Sequence, residues 1–270
     1  MARNSVVVTG ASTGIGWGCV KILTAAGFHV FGSVRKLADA ERLIGQFGAN
    51  VTPLLFDVTD QVAVANAARR VDEALAGKTL AGLVNNAGIA VAGPLIYLNV
   101  EDFEKQLAVN VTGPLLVTQA FAPLLGADRG RQGAPGRIVM ISSVGGRNAL
   151  PFAGPYAASK FAVEGLSEAL RRELMLFGID VVIVAPGAVV TPIWDKTEVR
   201  HRALRQHALR CRIGKDEGLH AGQRRQGPAA REDRRRRADR PHRGQAQDSL
   251  HGDSQPDAAA HDQRAAQAHA

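Results

Sequence analysis

Apolar runs and runs of helical spacing alternate along the first 195 residues. "SVVVTG" (Ser5–Gly10) is a short β-branched run ending in glycine, and "GWGCVKILTAAG" (Gly16–Gly27) follows with helical spacing and a terminal glycine stop. "HVFGSV" (His29–Val34) predicts a second strand, "AERLIGQF" (Ala40–Phe47) a second helix and "VTPLLFDVT" (Val51–Thr59) a third strand. A helix over Val62–Ala76, a strand at "AGLVNNAG" (Ala81–Gly88) and a helix around Phe103–Leu125 come next. The strand "GRIVMISS" (Gly136–Ser143), a helix from about Pro155 to Phe177 and the strand "DVVIVAPG" (Asp180–Gly187) complete the series. Strands that are apolar without alternation belong in a sheet buried on both faces. The pattern therefore predicts an α/β fold, a doubly wound parallel sheet in one domain over residues 1–195, with ligands at the carboxyl ends of the strands.

Charge changes the picture only beyond that domain. The 270 residues carry a formal charge of +8, which suggests a nucleic-acid binder. Residues 1–199 hold 17 basic and 16 acidic side chains, whereas residues 200–270 hold 16 and 9. Seven of the eight histidines also lie in the second part, which has no aromatic residue after Trp194 and no valine after Val199. Cys19 and Cys211 offer neither a disulfide framework nor metal-ligand spacing, so no metal is expected and a reducing compartment is the simpler setting. No apolar run reaches the roughly 18 residues of a membrane span, and the chain enters "SVVVTG" without a leader segment. The expected location is cytoplasmic.

The candidate chemistry starts at the first strand–helix junction, "TGASTGIG" (Thr9–Gly16). Gly10, Gly14 and Gly16 lack a Cβ, which permits a tight turn and lets a pyrophosphate approach the backbone. Ser12, Thr13 and Ile15 complete the candidate contacts of this turn. An acid at the end of the second strand would hold the 2′-hydroxyl of NAD; the sequence there is "GSVRK", with no acid. Arg35 is placed to meet a 2′-phosphate, with Lys36 beside it, which favours NADP (NADPH) over NAD; the other reading of Arg35 is a solvated loop charge. Asp57, in "FDVTD" with Val58, fits two roles, acceptor for the adenine amino group and helix cap.

"SSVGGRNALPFAGPYAASK" carries the catalytic candidates. Tyr156 and Lys160 are four residues apart on one predicted helix and so share a face. An ammonium near a phenol stabilises the phenolate, which predicts a lowered Tyr156 pKa and a group suited to acid/base work. Ser143, thirteen residues before Tyr156, ends a strand and can hydrogen-bond a substrate oxygen.

Taken together, the glycine turn, "NNAG" (Asn85–Gly88), Asn110 in "LAVNVTG", Ser143, "YAASK" and Pro186–Gly187 resemble, in order and spacing, the short-chain dehydrogenase/reductase family. The resemblance covers about residues 4–195 and implies a Rossmann-type sheet. It implies Tyr156 as general acid/base, Lys160 lowering its pKa and binding the nicotinamide ribose, Ser143 orienting substrate, and Asn110 holding a water of the proton relay. Asn86, Ala87 and Gly88 would lie beside the cofactor; Pro186, Gly187, Val189 and Thr191 would wrap its nicotinamide. "VFGSVRK", "GPLIYLNVEDFEKQLAVNVTG" and "VVTPIWDK" resemble the retinol and 17β-hydroxysteroid branch, which points to a small lipophilic alcohol or carbonyl substrate. Leu150, Phe152 and Trp194 fit the lining of such a pocket and equally an ordinary core or dimer surface. The family's habit implies a homodimer or tetramer through the helices holding Asn110 and Tyr156.

Residues 196–270 form a low-complexity basic tail. "AAREDRRRRADRPHRG" (Ala229–Gly244) has seven arginines but no foldable face and no aromatic platform, so no nucleic-acid partner is expected. Its composition predicts disorder. The resembled family uses this region for a substrate lid, a helix and a last strand. Back-translation with the reading start moved one base later turns Gly227–Ser254 into a proline-bearing turn, an amphipathic helix and a β-rich strand. A frame shift between about Asp195 and Arg202 is therefore expected, with "DVVIVAPG" left as a sheet edge and turnover impaired for want of a lid. Two rival readings remain at this point, a nucleotide-binding protein without chemistry and a nucleic-acid binder acting through the tail.

Overall fold

The structure, a computed structural model, describes residues 4–194. The tail and the Trp194 side chain lie outside the described residues. Six parallel strands form one sheet in the order β3-β2-β1-β4-β5-β6: β1 (Ser5–Val8), β2 (His29–Val34), β3 (Val51–Leu55), β4 (Gly82–Asn85), β5 (Arg137–Ile141) and β6 (Asp180–Val184). Each of the first five strands is followed by a helical crossover: α1 (Gly14–Ala25), α2 (Leu37–Phe47), α3 (Gln61–Leu75), then α4 (Val100–Leu107) continuing into α5 (Gly113–Phe121), and α6 (Gly154–Leu174). Pro53 has no N–H to offer a second neighbour, and β3 is accordingly an outer strand, paired only with β2 among the described residues.

Both sheet faces are covered, as the unbroken apolar strands require. On β1, Val6 and Val8 join Val20, Val30, Leu43 and Val84 under α1 and α2. Val7 points the other way, into a larger core with Leu83, Phe121, Leu125, Ile138 and Met140 under α3, α5 and α6. Complete burial of a side chain such as Phe121 contributes about 1.5–3 kcal/mol of transfer free energy. The strand order reverses between β1 and β4, so the carboxyl ends of these two strands border the ligand crevice.

The predicted helix over Phe103–Leu125 differs in detail. It starts at Val100, and between α4 and α5 the chain widens into a π-turn over Ala108–Thr112, with Gly113 N–H bonded to Ala108 O. Pro114 supplies no N–H to the carbonyl of Asn110, four residues earlier, which accounts for the break in regular helix there. Among the described residues no helix is long and apolar enough to cross a membrane.

Candidate active site

The glycine turn between β1 and α1 is held by close approach as well as by backbone freedom. Gly10 and Gly14 adopt left-handed φ values of +65° and +58°. A β-carbon on Gly16 would stand 2.2 Å from the Gly10 carbonyl oxygen, so this position admits no side chain. Thr13 caps α1 without a side-chain hydrogen bond, and the first turn has no acid; the N-terminal N–H groups thus face the crevice without a side-chain acceptor of their own helix. Ser12 and Ile15 are half-buried within the turn, and the Ser12 carbonyl accepts from Arg42 Nη2 at 2.6 Å.

Asn85–Gly88 follows β4 and stitches this turn in place. Thr9 Oγ1 accepts from the N–H groups of Asn86 and Ala87 at 2.9 and 3.0 Å. Asn86 Nδ2 returns two bonds, to Thr9 O at 2.8 Å and Gly10 O at 3.2 Å. Asn85, the last residue of β4, reaches α5 and donates to Thr118 Oγ1 at 3.0 Å. Gly88 lies beside Asn110, whose Oδ1 is 3.3 Å from where a Gly88 β-carbon would be. Thr9 and Arg42 were not singled out from the sequence. Thr9 bonds Asn86 and Ala87, and Arg42, besides its local pair with Asp39, reaches Ser12 30 residues away; neither bond falls on a periodic pattern.

At the adenosine end of the crevice, Arg35 and Asp57 form one unit rather than two independent groups. Arg35 Nη1 lies 3.6 Å from Asp57 Oδ2, and both side chains are well exposed. Burial opposes ionisation of Asp57, but hydrogen bonds from Thr59 N–H and Oγ1 and the Arg35 charge outweigh it and hold the carboxyl below its ordinary range. The Asp57 carboxylate thus caps its own turn, while Asp60, not Asp57, caps α3 by accepting from Ala63 N–H at 2.9 Å. Lys36 caps α2 by backbone geometry alone and is exposed. Val58 is buried against Gly113, where a β-carbon would meet Val58 Cγ2 at 2.7 Å.

The catalytic candidates meet at the carboxyl end of β5. Ser143 accepts from Gly145 N–H at 3.1 Å and hydrogen-bonds Tyr156, and a β-carbon on Gly145 would touch both Ser143 Oγ and the Tyr156 ring at 3.4 Å. Lys160 Nζ lies 5.7 Å from the Tyr156 ring centroid and donates to Ile141 O at 2.7 Å. Asn110 is buried in the π-turn; its Oδ1 accepts from Ile89 N–H at 2.9 Å, and its Nδ2 donates to Ile89 O at 3.0 Å and Ser159 Oγ at 3.1 Å. Two of these three bonds hold the segment after Gly88, and the third reaches α6.

One electrostatic expectation is corrected. Burial pushes the Tyr156 phenol above its ordinary range, and the bond with Ser143 draws it back only in part. Burial likewise pushes the Lys160 ammonium down, to about 8. The i, i+4 argument counted the attraction of the cation for a phenolate and omitted the desolvation that both groups suffer on entering the site.

Beyond β6, Pro186 O accepts from Val144 N–H at 3.0 Å, tying this segment to the residue after Ser143. Thr191 returns to the glycine turn, its Cγ2 lying 3.1 Å from where a Gly14 β-carbon would be. Gly187 and Val189 are exposed between these two anchors. Phe152 is half-buried with a left-handed φ of +64°, and its carbonyl accepts from Gly93 N–H at 2.7 Å; Leu150 is 49% exposed. A separate cavity of about 500 Å³, lined by residues that include His29, Thr52 and Arg70, sits at the amino ends of the strands and contains none of these groups.

A doubly wound sheet with a glycine turn after its first strand and Ser, Tyr and Lys gathered after its fifth defines a dehydrogenase-like α/β protein. The chain belongs to the short-chain dehydrogenase family, whose model matches residues 4–201. It is similar to an NADPH-dependent 3-dehydrocapnine reductase of Ornithobacterium rhinotracheale, with 41% identity over 71% of this chain and 68% of that protein. It is similar to retinol dehydrogenase 5 of Homo sapiens, with 40% identity over 70% of this chain and 57% of that protein, in keeping with the branch the sequence resembles. Among solved structures it resembles an NADPH-bound carbonyl reductase from chicken fatty liver, with a TM-score of 0.64 and 32% identity over 72% of this chain and 82% of that one.

Proposed function

We propose that this chain is an NADP-dependent oxidoreductase that interconverts a lipophilic secondary alcohol and its carbonyl, with Tyr156 as general acid/base. The grouping of Ser143, Tyr156 and Lys160 opposite the glycine turn carries this reading. The residues fit the cofactor: Gly10 and Gly14 leave the turn open to a pyrophosphate, α1 presents uncommitted N–H groups, and Arg35 offers a cation where β2 offers no acid. NADPH, when bound, supplies hydride to a carbonyl carbon. Two of the similar proteins named above are NADPH-dependent or NADPH-bound, which supports the same cofactor here.

Each side chain then has a task. The buried phenol is protonated at neutral pH and serves as the acid that protonates a carbonyl oxygen in reduction; the reverse step returns the proton in alcohol oxidation. Ser143 Oγ donates to the same oxygen and stabilises the charge that builds there. Lys160, fixed by Ile141 O, offers a proton-bearing group behind the phenol and a donor for the nicotinamide ribose. Asn110 keeps the floor of the site rigid through Ile89.

Exposed apolar side chains support a lipophilic substrate: Leu95 and Ile96 are 61% and 78% exposed, Leu150 precedes Tyr156 by six residues, and Val189 and Val190 are exposed between Pro186 and Thr191. A β-carbon on Gly154 would meet the Leu95 side chain at 2.8 Å, so the two rim loops pack directly. Phe161 on α6 and Val100 on α4, 48% and 65% exposed, fit a homodimer face. Residues 196–270 hold only three β-branched side chains, Thr197, Val199 and Ile213, and no Phe, Tyr or Trp, too few for an apolar lid, so slow turnover is expected. The direct test is fluorescence titration with NADPH and NADH: tighter NADPH binding supports the reading, and equal or absent binding of both sinks it.

A further inference from the structure

Gln106 is fully buried on α4, one turn before Asn110. Its amide is used at both ends: Oε1 accepts from Val91 N–H at 2.6 Å, and Nε2 donates to Ile89 O at 2.8 Å and approaches Ser159 Oγ at 3.4 Å. The Asn110 amide does the same work one turn later, gripping Ile89 through both backbone groups and reaching the same Ser159 hydroxyl. Ser159, also fully buried, donates to the Tyr156 carbonyl at 2.7 Å. Two amides thus clamp one loop carbonyl and one helix hydroxyl. A leucine would fill a similar volume with no polar group to satisfy, so the amide is a costly choice for packing alone.

We propose that Gln106 is a positioning residue for Tyr156: through Ile89–Val91 and Ser159 it fixes the first turn of α6 against the π-turn, and so sets the alignment of the phenol with Ser143. Gln106 itself touches no reacting atom. The inference rests on the reading of Tyr156 as proton donor, and it goes beyond that reading by naming what aims the donor. Ser159 is the one group shared by Gln106, Asn110 and the Tyr156 backbone, so a change at Gln106 reaches the phenol without crossing the glycine turn.

The chain has two tyrosines, so in a Tyr97→Phe background tyrosinate absorbance against pH reports Tyr156 alone. Gln106→Leu is expected to loosen the Ser143 bond and raise the titration midpoint by about half a unit or more. Val71→Ala, a core truncation in α3, is expected to lose comparable thermal stability with the midpoint unmoved. In a Ser143→Ala background the Gln106→Leu shift should vanish. An unchanged midpoint in Gln106→Leu, or an equal rise with Ser143 absent, overturns the proposal. Should Gln106→Leu not fold, Gln106→Met, which is uncharged and loses both the acceptor for Val91 N–H and the donor to Ile89 O, is read the same way. The titration needs no turnover and no nucleotide, so its failure is separate from failure of the catalytic reading.

Discussion

Lys160 Nζ donates to the carbonyl oxygen of Ile141 at 2.7 Å, tying the helix that bears Tyr156 to the strand that ends just before Ser143. This one bond brings the catalytic groups together from two elements, and it does so by burying a cation.

That burial has a stability signature. The Lys160 ammonium, ordinarily at 10.5, is pushed down to about 8, so between these values the unfolded chain binds more protons than the folded one and stability rises with pH. Below pH 8 the full penalty applies, about 3 kcal/mol. Lys160→Met removes it and loses one hydrogen bond worth about 1 kcal/mol, for a net gain of about 2 kcal/mol at pH 7 that fades by pH 10.5. Urea unfolding at both ends of that range checks the sign; a variant less stable at pH 7 by the same margin as at high pH contradicts it.

The glycine turn predicts opposite outcomes for two neighbouring substitutions. Gly16→Ala places a methyl 2.2 Å from Gly10 O and is expected to abolish NADPH binding and cost about 2–3 kcal/mol. A β-carbon on Gly18, in the same helix, meets nothing within 4 Å, so Gly18→Ala should stabilise by about 0.5–1 kcal/mol with NADPH affinity unchanged. Thermal unfolding and fluorescence titration of the pair suffice.

Arg35 predicts cofactor choice. Its pairing with Asp57 is long and exposed, leaving the guanidinium free to turn toward a 2′-phosphate. Arg35→Ala should weaken NADPH by about 10- to 100-fold and leave NADH within about threefold, because only the phosphate loses a charge-assisted bond. Equal loss for both nucleotides would mean that Arg35 supports the turn instead.

DNA sequence across codons 190–205 tests the expected frame shift. The account predicts that reading one base later restores an apolar, β-branched C-terminal segment; an unbroken frame in independent isolates removes the idea.

Much of the architecture was legible because period and punctuation agreed. His29–Val34 was bounded correctly from its apolar run and the Gly27 stop, and Pro155–Phe177 came within a residue of the helix and its final turn. The third strand was read four residues too long, since Phe56–Thr59 are apolar or β-branched in part but are spent on the Asp57 turn and the α3 cap. The π-turn was missed because helical side-chain spacing continues through it, although Pro114 marked the break. The catalytic group was visible as a set of spacings. The polar scaffold behind it was not: Thr9, Gln106 and Ser159 bond residues 15 to 78 positions away, and no local pattern encodes such pairs. The direction of the Tyr156 shift is hidden from the sequence for a related reason: burial is a property of the folded site and not of the four-residue spacing between Tyr156 and Lys160.

The most direct test of the account is a single-turnover measurement. The full chain is mixed with stoichiometric NADPH and an excess of a lipophilic aryl ketone, and loss of the reduced-nicotinamide absorbance is followed for wild type and Tyr156→Phe. The account predicts slow but measurable oxidation that falls by about 100- to 10,000-fold in the variant with NADPH affinity preserved. Equal rates in the two proteins would contradict it.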